Sequence, residues 1–420
     1  MQLLRLALLS LANRRFSALL TLLAIALSVT LLLAVEKVRS EARASFASTI
    51  SGTDLIVGAR SGSVQLLLYS VFRIGNASNN IRWDSFEQIA AHPRVAWAIP
   101  LSLGDSHQGY PVLGTNHDYF SHYRYGRGQA LQLASGAVFD DLYEVVLGAD
   151  VARELNYRPG DEIVLAHGTG RVSFVDHADK PFVVSGILAR TGTPVDRTLH
   201  ISLEGMQALH VDWQQGMPAR GAARIDADQA RQLDLTPKAI TAILLGLTSP
   251  VSTFAVQREV NQFRGEPLQA ILPGVALQEL WSLLGIAEKA LLLVSGFVVL
   301  TGLIGMLTAI LASLNERRRE MAILRSVGAR PRHIFGLLLL EALGLTLGGI
   351  LLGVGLLYVG LWLAQPWLLS QYGLFIAISA PGVYEAKLIG AILLASLLIG
   401  SVPAWRAYRQ SLVDGLSIRT

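Results

Sequence analysis

The 420-residue chain contains no cysteine, which excludes a disulfide framework, thiolate metal sites and a cysteine nucleophile. Charge is also scarce. Asp, Glu, Lys and Arg make up 16% of the residues against 52% hydrophobic ones, whereas soluble domains are about a quarter charged. Apolar surface on that scale has to be buried in lipid. Lysine is rarest among the charged types: there are five, and none follows a glycine. That excludes a P-loop, whose backbone amides cradle phosphates while a Gly-Lys lysine reaches their terminal oxygens. Any ATP used is therefore bound by another polypeptide. A Gly-x-Ser-x-Gly nucleophile elbow and a His-Glu-x-x-His zinc motif are missing too, and no catalytic residue is expected.

What the chain does have is long apolar runs. A membrane helix needs about 20 apolar residues, and Phe16 to Val35, Ala290 to Leu314 and Ala342 to Ala364 are uncharged throughout. A shorter fourth run, Leu388 to Trp405, is bounded by Lys387 and Arg406. The first run exceeds the roughly 7–15 residues of a signal-peptide core and reads as an uncleaved anchor. Arginine sets the orientation. Arg5, Arg14 and Arg15 precede the first run; Arg317, Arg318, Arg319, Arg325, Arg330 and Arg332 separate the second from the third; Arg406, Arg409 and Arg419 follow the fourth. The third and fourth runs are separated by a loop carrying only Lys387. Both termini and the arginine-rich loop are thus expected in the cytoplasm, and residues 36–289 outside. The formal charge of +4 then reflects topology and anionic headgroups, not nucleic acid.

The outside segment has mixed, domain-like composition. Glu36 to Ile50, free of Gly and Pro, is expected to prolong the first span as a helix. Val275 to Lys289, with an apolar stripe of Val275, Leu277, Leu280, Leu283, Leu284 and Ala287, is expected to lead into the second. Between these two stalks, Arg94 to Ile99, Glu162 to Ala166, Val172 to Val175, Phe182 to Leu188 and Ala239 to Leu247 carry strand signals. Val151 to Leu155, Leu203 to His210 and Val251 to Phe263 read as helices. The expected fold is a four-helix transmembrane domain, one span then three. A large α+β extracytoplasmic domain is inserted between spans one and two on helical stalks, its two subdomains meeting within residues 120–140. The divisions are 1–35 (cytoplasmic start and first span), 36–60 (stalk and entry), 61–274 (outer domain), 275–314 (stalk and second span), 315–333 (cytoplasmic loop), 334–364 (third span), 365–387 (external loop) and 388–420 (fourth span and tail).

Several candidates for chemistry have plainer readings. His107, His117, Asp118 and His122 form the densest histidine group, and His167, Asp176, His177 and Asp179 flank a hairpin signal. Either set has ligand chemistry, but ordinary surface or loop histidines account for both, and no metal is expected. Residues 60–72 are apolar and suit either a cavity lining or core packing. Glu341 lies in the first turns of the third span, where an acid serves as a proton or gating contact or pairs structurally. Gly344 with Gly348, and Gly349 with Gly353, give two Gly-x-x-x-Gly spacings that permit close helix packing.

The most informative stretch is 315–335, Asn-Glu-Arg-Arg-Arg-Glu-Met-Ala-Ile-Leu-Arg-Ser-Val-Gly-Ala-Arg-Pro-Arg-His-Ile-Phe. Glu320 to Val327 has a helical pattern, with Gly328 placed as a C-cap and Pro331 near the next helix start. Met321, Leu324 and Val327, with Ile323 beside them, form a short apolar stripe on a charged loop, as docking or interfacial helices do.

Glu-Arg-Arg-Arg-Glu-Met-Ala-Ile-Leu-Arg-Ser-Val-Gly-Ala at 316–329 resembles the signature of FtsX/MacB-type ABC transporter permeases, the mechanotransmission or type VII class. Gly52-Thr-Asp-Leu-Ile-Val-Gly58, Val146-Leu-Gly-Ala-Asp-Val-Ala152 with Pro159-Gly-Asp161, and Gly186-Ile-Leu-Ala-Arg-Thr-Gly-Thr-Pro194 are similar to the MacB-type periplasmic core. Val402-Pro-Ala-Trp-Arg-Ala407 is similar to the family's closing segment. The resemblance implies an inner-membrane permease that hydrolyses nothing itself and works as a dimer, here a homodimer. A dimeric cytoplasmic ATPase, holding ATP and Mg, would dock on Glu320, Met321, Ile323, Leu324, Arg325, Val327 and Gly328. Glu341, Gly344 and Gly348 are the candidates for gating or packing. The MacB form carries a fused N-terminal ATPase and this chain does not, so its ATPase would be a separate subunit. Three outputs fit: efflux of a periplasmic substrate with an adaptor and outer-membrane channel, extraction of lipoproteins from the inner membrane, or FtsX-like signalling to a periplasmic hydrolase. An outer domain larger than signalling requires favours transport.

Overall fold

The computed structural model of the protein describes residues 6, 9 and 14–409, except 127, 169–175, 215–216, 219–224, 317, 373–375 and 377. The strand expected at Val172 to Val175 lies outside the described residues. The chain divides into two compact units, one of Met1–Glu41, Gly285–Trp367 and Ile376–Thr420, the other of Ala42–Leu284 and Leu368–Phe375.

Among the described residues, four helices are long and apolar enough to cross a membrane: Arg15–Thr49, Pro273–Glu316, Pro331–Tyr372 and Val383–Arg409. They coincide with the four apolar runs and extend beyond them. The first passes Val35 unbroken, as the Gly- and Pro-free sequence from Glu36 onward predicts. The second begins at Pro273, whose missing N–H costs nothing at a first helical position.

Within the membrane unit, the first helix buries Ile25, Ala26, Val29, Leu32 and Leu33, positions spaced three and four apart that share one face. Part of that face meets the third helix. A Cβ on Gly349 would lie 2.6 Å from Ile25 Cγ2, and one on Gly353 would lie 2.7 Å from the Ala26 carbonyl oxygen and 3.0 Å from Val29 Cβ. Thr30 Oγ1 donates to the Gly353 carbonyl at 2.9 Å. The second glycine spacing, Gly349 with Gly353, is thus the one in close helix contact. Gly348 faces Leu22 more loosely, and Gly344 is exposed. Gly400 of the fourth helix likewise approaches Ala342 of the third.

The outer unit is built on a mixed sheet. Its order is Leu268–Ile271, Leu55–Ala59, Ala242–Leu247, Val95–His107, Tyr110–Thr115, Leu199–Ser202, Glu144–Leu147, Phe182–Leu188 and Leu133–Gly136. All neighbours are antiparallel except two pairs, Tyr110–Thr115 with Leu199–Ser202 and Glu144–Leu147 with Phe182–Leu188. The 13-residue Val95–His107 strand serves both halves: Val95 to Leu101 pair with Ala242–Leu247, and Ser102 to His107 pair with Tyr110–Thr115. The halves therefore join along this strand and not within residues 120–140, where short strands at Arg124–Tyr125, Gln129–Ala130 and Leu133–Gly136 lie instead. Sequence could not locate that junction, because one continuous strand shows no composition break.

The apolar 60–72 segment forms the Ser63–Val71 helix, with Leu66, Leu67, Tyr69 and Val71 buried. It packs in the core with Ile56, Ile99, Leu101 and Leu244, which settles it as core.

Glycine packing in the membrane unit gives a paired prediction. Gly353→Ala places a methyl against backbone and is expected to cost about 1–3 kcal/mol. Gly355→Ala, on the same helix with nothing within 4 Å, should be neutral or slightly stabilising. Thermal unfolding of the two variants in detergent checks this, and equal melting temperatures would contradict it.

Candidate functional site

The short helix after the second span runs Arg318–Ser326. It ends as its glycine predicts: Gly328 has φ +104°, Ala329 N–H donates to Leu324 O at 2.9 Å and Gly328 N–H to Arg325 O at 3.1 Å. This pair of bonds is a Schellman cap, which closes the orphan carbonyls and needs a residue tolerant of positive φ. Pro331 then opens the third membrane helix. The loop is therefore a stiff helix–cap–helix corner.

The side chains on this helix divide differently from the expected stripe. Met321 is 7% exposed, whereas Ile323 is 51% and Val327 84% exposed. Leu324 and Arg325 are half-buried, and the Glu320 side chain lies outside the described set. Ile323 and Val327 are four apart and share a face, so the exposed apolar surface is that pair, with Met321 turned inward. Sequence periodicity located the helix but not which side of it the rest of the unit covers.

Glu341 is buried and lines a small cleft of about 30 Å³ with Arg14, Ser17, Thr21, Ala309, Ser313 and Leu345. Arg14 Nη2 donates to Ser313 O at 3.2 Å. The cleft thus gathers polar groups from the first and second helices around one acid on the third, the kind of surrounding that lets a carboxyl group persist among apolar helices.

In the outer unit, the group His107, His117, Asp118 and His122 is not brought together as a set, and only Asp118 and His122, one turn apart, approach each other, at 3.9 Å. His107 bonds Val164 O and Tyr157 Oη, His117 bonds Phe139 O, and His122 stacks on Trp97. The second group is half right. His167 and His177 converge, but with Asp105 and His210, while Asp176 is exposed and Asp179 lies 3.5 Å from the Lys180 ammonium.

Local structure explains the convergence. Pairing of Val95–His107 with Tyr110–Thr115 shifts register between Leu103 and Ser106, a bulge of the kind that re-aims side chains. Alternation breaks there, and Asp105, Ser106 and His107 are all buried in succession. His167 sits directly across the sheet from Asp105. His210 follows the Leu203–Leu209 helix and its Nδ1 meets Met206 O at 3.1 Å. An Asp inside a strand pattern is uncommon, and Asp105 was the one signal that could have pointed here.

Burial would raise the Asp105 carboxyl, but hydrogen bonds from His167 and His210 outweigh it and hold the group at about 2. Burial pushes His177 down to about 4. His210 is raised, because its contacts with Asp105 overcome burial.

A polytopic membrane unit with an α+β domain between its first and second spans is the class that this architecture defines. Residues 18–263 match the model of the MacB-like periplasmic core domain, and residues 292–412 match the FtsX-like permease C-terminal model. The chain belongs to the FtsX-like permeases that carry a MacB-like periplasmic core. It is an ABC transporter permease, a multi-pass inner-membrane protein with a periplasmic domain, of a family that generally works with a cytoplasmic ABC ATPase. Among solved structures it is similar to the periplasmic region of MacB from Actinobacillus actinomycetemcomitans, at 12% identity and a TM-score of 0.33 over 55% of this chain and 94% of that one. It is also similar to the extracellular domain of the noncanonic ABC-type transporter YknZ from Gram-positive bacteria, at 10% identity and a TM-score of 0.31 over 52% of this chain and 99% of that one. No curated protein matches the chain.

A pH prediction follows from His200, which is buried among the Tyr119 and Phe120 rings. Burial, aided by Arg73, lowers it to about 3. Below the ordinary value of about 6.5 the unfolded chain takes up a proton that the folded one refuses. Stability is therefore expected to fall as pH drops from about 6.5 towards 3, and to be unaffected by this group above 6.5. Melting temperatures measured across that range should fall less steeply for His200→Gln than for the unsubstituted protein. Parallel slopes would contradict the assignment.

Proposed function

We propose that this chain couples ATP hydrolysis on a separate cytoplasmic ATPase dimer to movement of its periplasmic domain, driving efflux of a periplasmic substrate. The observation that carries the reading is the exposed Ile323–Val327 pair on a helix held rigid by its Schellman cap and by the proline-led start of the next helix. An exposed apolar pair of this kind suits insertion into a groove on a partner, and a stiff corner passes on a push that a flexible loop would absorb. ATP and Mg would sit on the partner, since the chain has no phosphate-cradling loop of its own. The termini and the coupling helix would lie in the cytoplasm, on the arginine-rich side, and two copies of the chain would assemble with the ATPase dimer.

Co-purification with the ATPase, followed by hydrolysis assays with and without a periplasmic adaptor, tests the output. Stimulation by the adaptor supports efflux, and stimulation by lipoproteins or a wall hydrolase instead would overturn it. For the coupling itself, the double variant Ile323→Asp with Val327→Asp should abolish permease-stimulated hydrolysis while membrane insertion and helix content persist. Unchanged stimulation would reject this docking face. Glu341→Gln keeps the shape of the buried acid and is expected to leave turnover close to normal. Loss of turnover with intact assembly would instead make Glu341 a gating contact.

A further inference from the structure

Among the described residues, Asp105, His167, His177 and His210 form a compact donor set in the outer unit. One ligand-type atom from each lies within 4.8 Å of all the others. Three of these atoms make a tight triangle: His167 Nδ1 is 3.0 Å from Asp105 Oδ1 and 3.1 Å from His210 Nε2, and His210 Nε2 is 3.4 Å from Asp105 Oδ1. Tetrahedral zinc, with bonds of about 2.0–2.1 Å, would hold neighbouring donor atoms ~3.3 Å apart.

Hydrogen bonding within the set is incomplete. Met206 O can only accept, so His210 Nδ1 donates to it and a neutral His210 turns the lone pair of Nε2 towards the carboxylate. Two acceptors then face each other 3.4 Å apart, a repulsion that a proton on His210 or a bound metal ion removes. His177, 3% exposed, has Nε2 buried with no hydrogen-bond partner, and Asp105, 0% exposed, has Oδ2 in the same state. Buried polar atoms left unsatisfied are rare and ask for an explanation. Trp213 closes over the group, its ring centroid 4.4 Å from that of His167 and 5.0 Å from that of His210. The nearby Lys180 ammonium is already held by Asp212 at 3.2 Å.

We propose that this cluster binds a divalent transition metal of the zinc type, with Asp105, His167, His177 and His210 as its four ligands. Imidazole nitrogens in the majority exclude the oxygen-seeking calcium and magnesium, and the lack of sulfur disfavours copper(I). The His210–Met206 bond supplies the outer contact that usually orients a ligating imidazole. Access comes from a cleft of about 540 Å³ whose wall includes Gly104, Asp105, His167 and Gly168. The ligands come from the bulged strand, the short Ala166–His167 strand paired with it, the stretch before Lys180 and the end of the Leu203–Leu209 helix, so the ion would tie together four separated parts of one sheet half. This assignment does not rest on the coupling reading above.

The test uses the full chain in detergent, stripped with EDTA and desalted. Cobalt(II) chloride is expected to give the intense visible bands of a tetrahedral site at one equivalent per chain, displaced by zinc chloride. Zinc should also raise the melting temperature of the stripped protein. His177→Ala should weaken zinc binding more than the roughly 10–100-fold lost when only an outer-shell partner is removed. If His177→Ala does not fold, Asp105→Asn provides the comparison. Absence of cobalt bands and of any zinc-dependent melting shift in the unsubstituted chain would overturn the site, leaving a proton on His210 as the occupant. Equal zinc affinity in the unsubstituted chain and a folded variant would overturn the ligand set.

Discussion

Hydrocarbon offers a polypeptide no hydrogen bonds, and the membrane unit follows from that constraint. Each crossing segment has to satisfy its own backbone, which only a helix does along a single strand of chain. Hydroxyls inside these helices turn back to carbonyls one turn earlier, as Thr21 does to Ser17, Ser28 to Ala24, Thr30 to Ala26 and Thr346 to Ala342. Lipid is as apolar as leucine, so helices gain little by hiding leucine from it and associate instead through close packing. Gly349 and Gly353 let the third helix approach the first to backbone contact. The same constraint explains why Glu341 is found beside Arg14, Ser17, Thr21 and Ser313 and not facing outward.

In the outer unit water supplies the hydrophobic force, and the organising element is one long strand. Val95–His107 gives its first half to one set of partners and its second half to another. The register shift beyond Leu103 breaks alternation, so consecutive residues are buried where an ordinary strand would expose every second one. Asp105 is the consequence: an acid with no exposure, reached by histidines from elsewhere in the chain. Buried acids persist only when neighbours stabilise their charge, and here His167 and His210 do so.

Much of this was legible beforehand. The four apolar runs, the Phe182–Leu188 strand and the Gly328 stop depend on local properties: length, alternation, and a glycine where φ turns positive. Which face of the Arg318–Ser326 helix is exposed was not legible, because Met321, Leu324 and Val327 are equally apolar and only packing separates Met321 from Val327. The histidines show the same limit. Proximity in sequence pointed to His107, His117 and His122, but their rings point to three different partners.

The sequence by itself determined the number and placement of the crossing helices and the existence of a capped helix between spans two and three. These are set by residues within a few turns of one another. Only the tertiary structure decided which glycine pair packs, which apolar residues stay exposed, where the two halves of the outer sheet join and which titratable groups meet. Those outcomes depend on sheet register and helix rotation, and both are fixed by contacts between residues as far apart in the chain as Asp105 and His210 or Ala26 and Gly353.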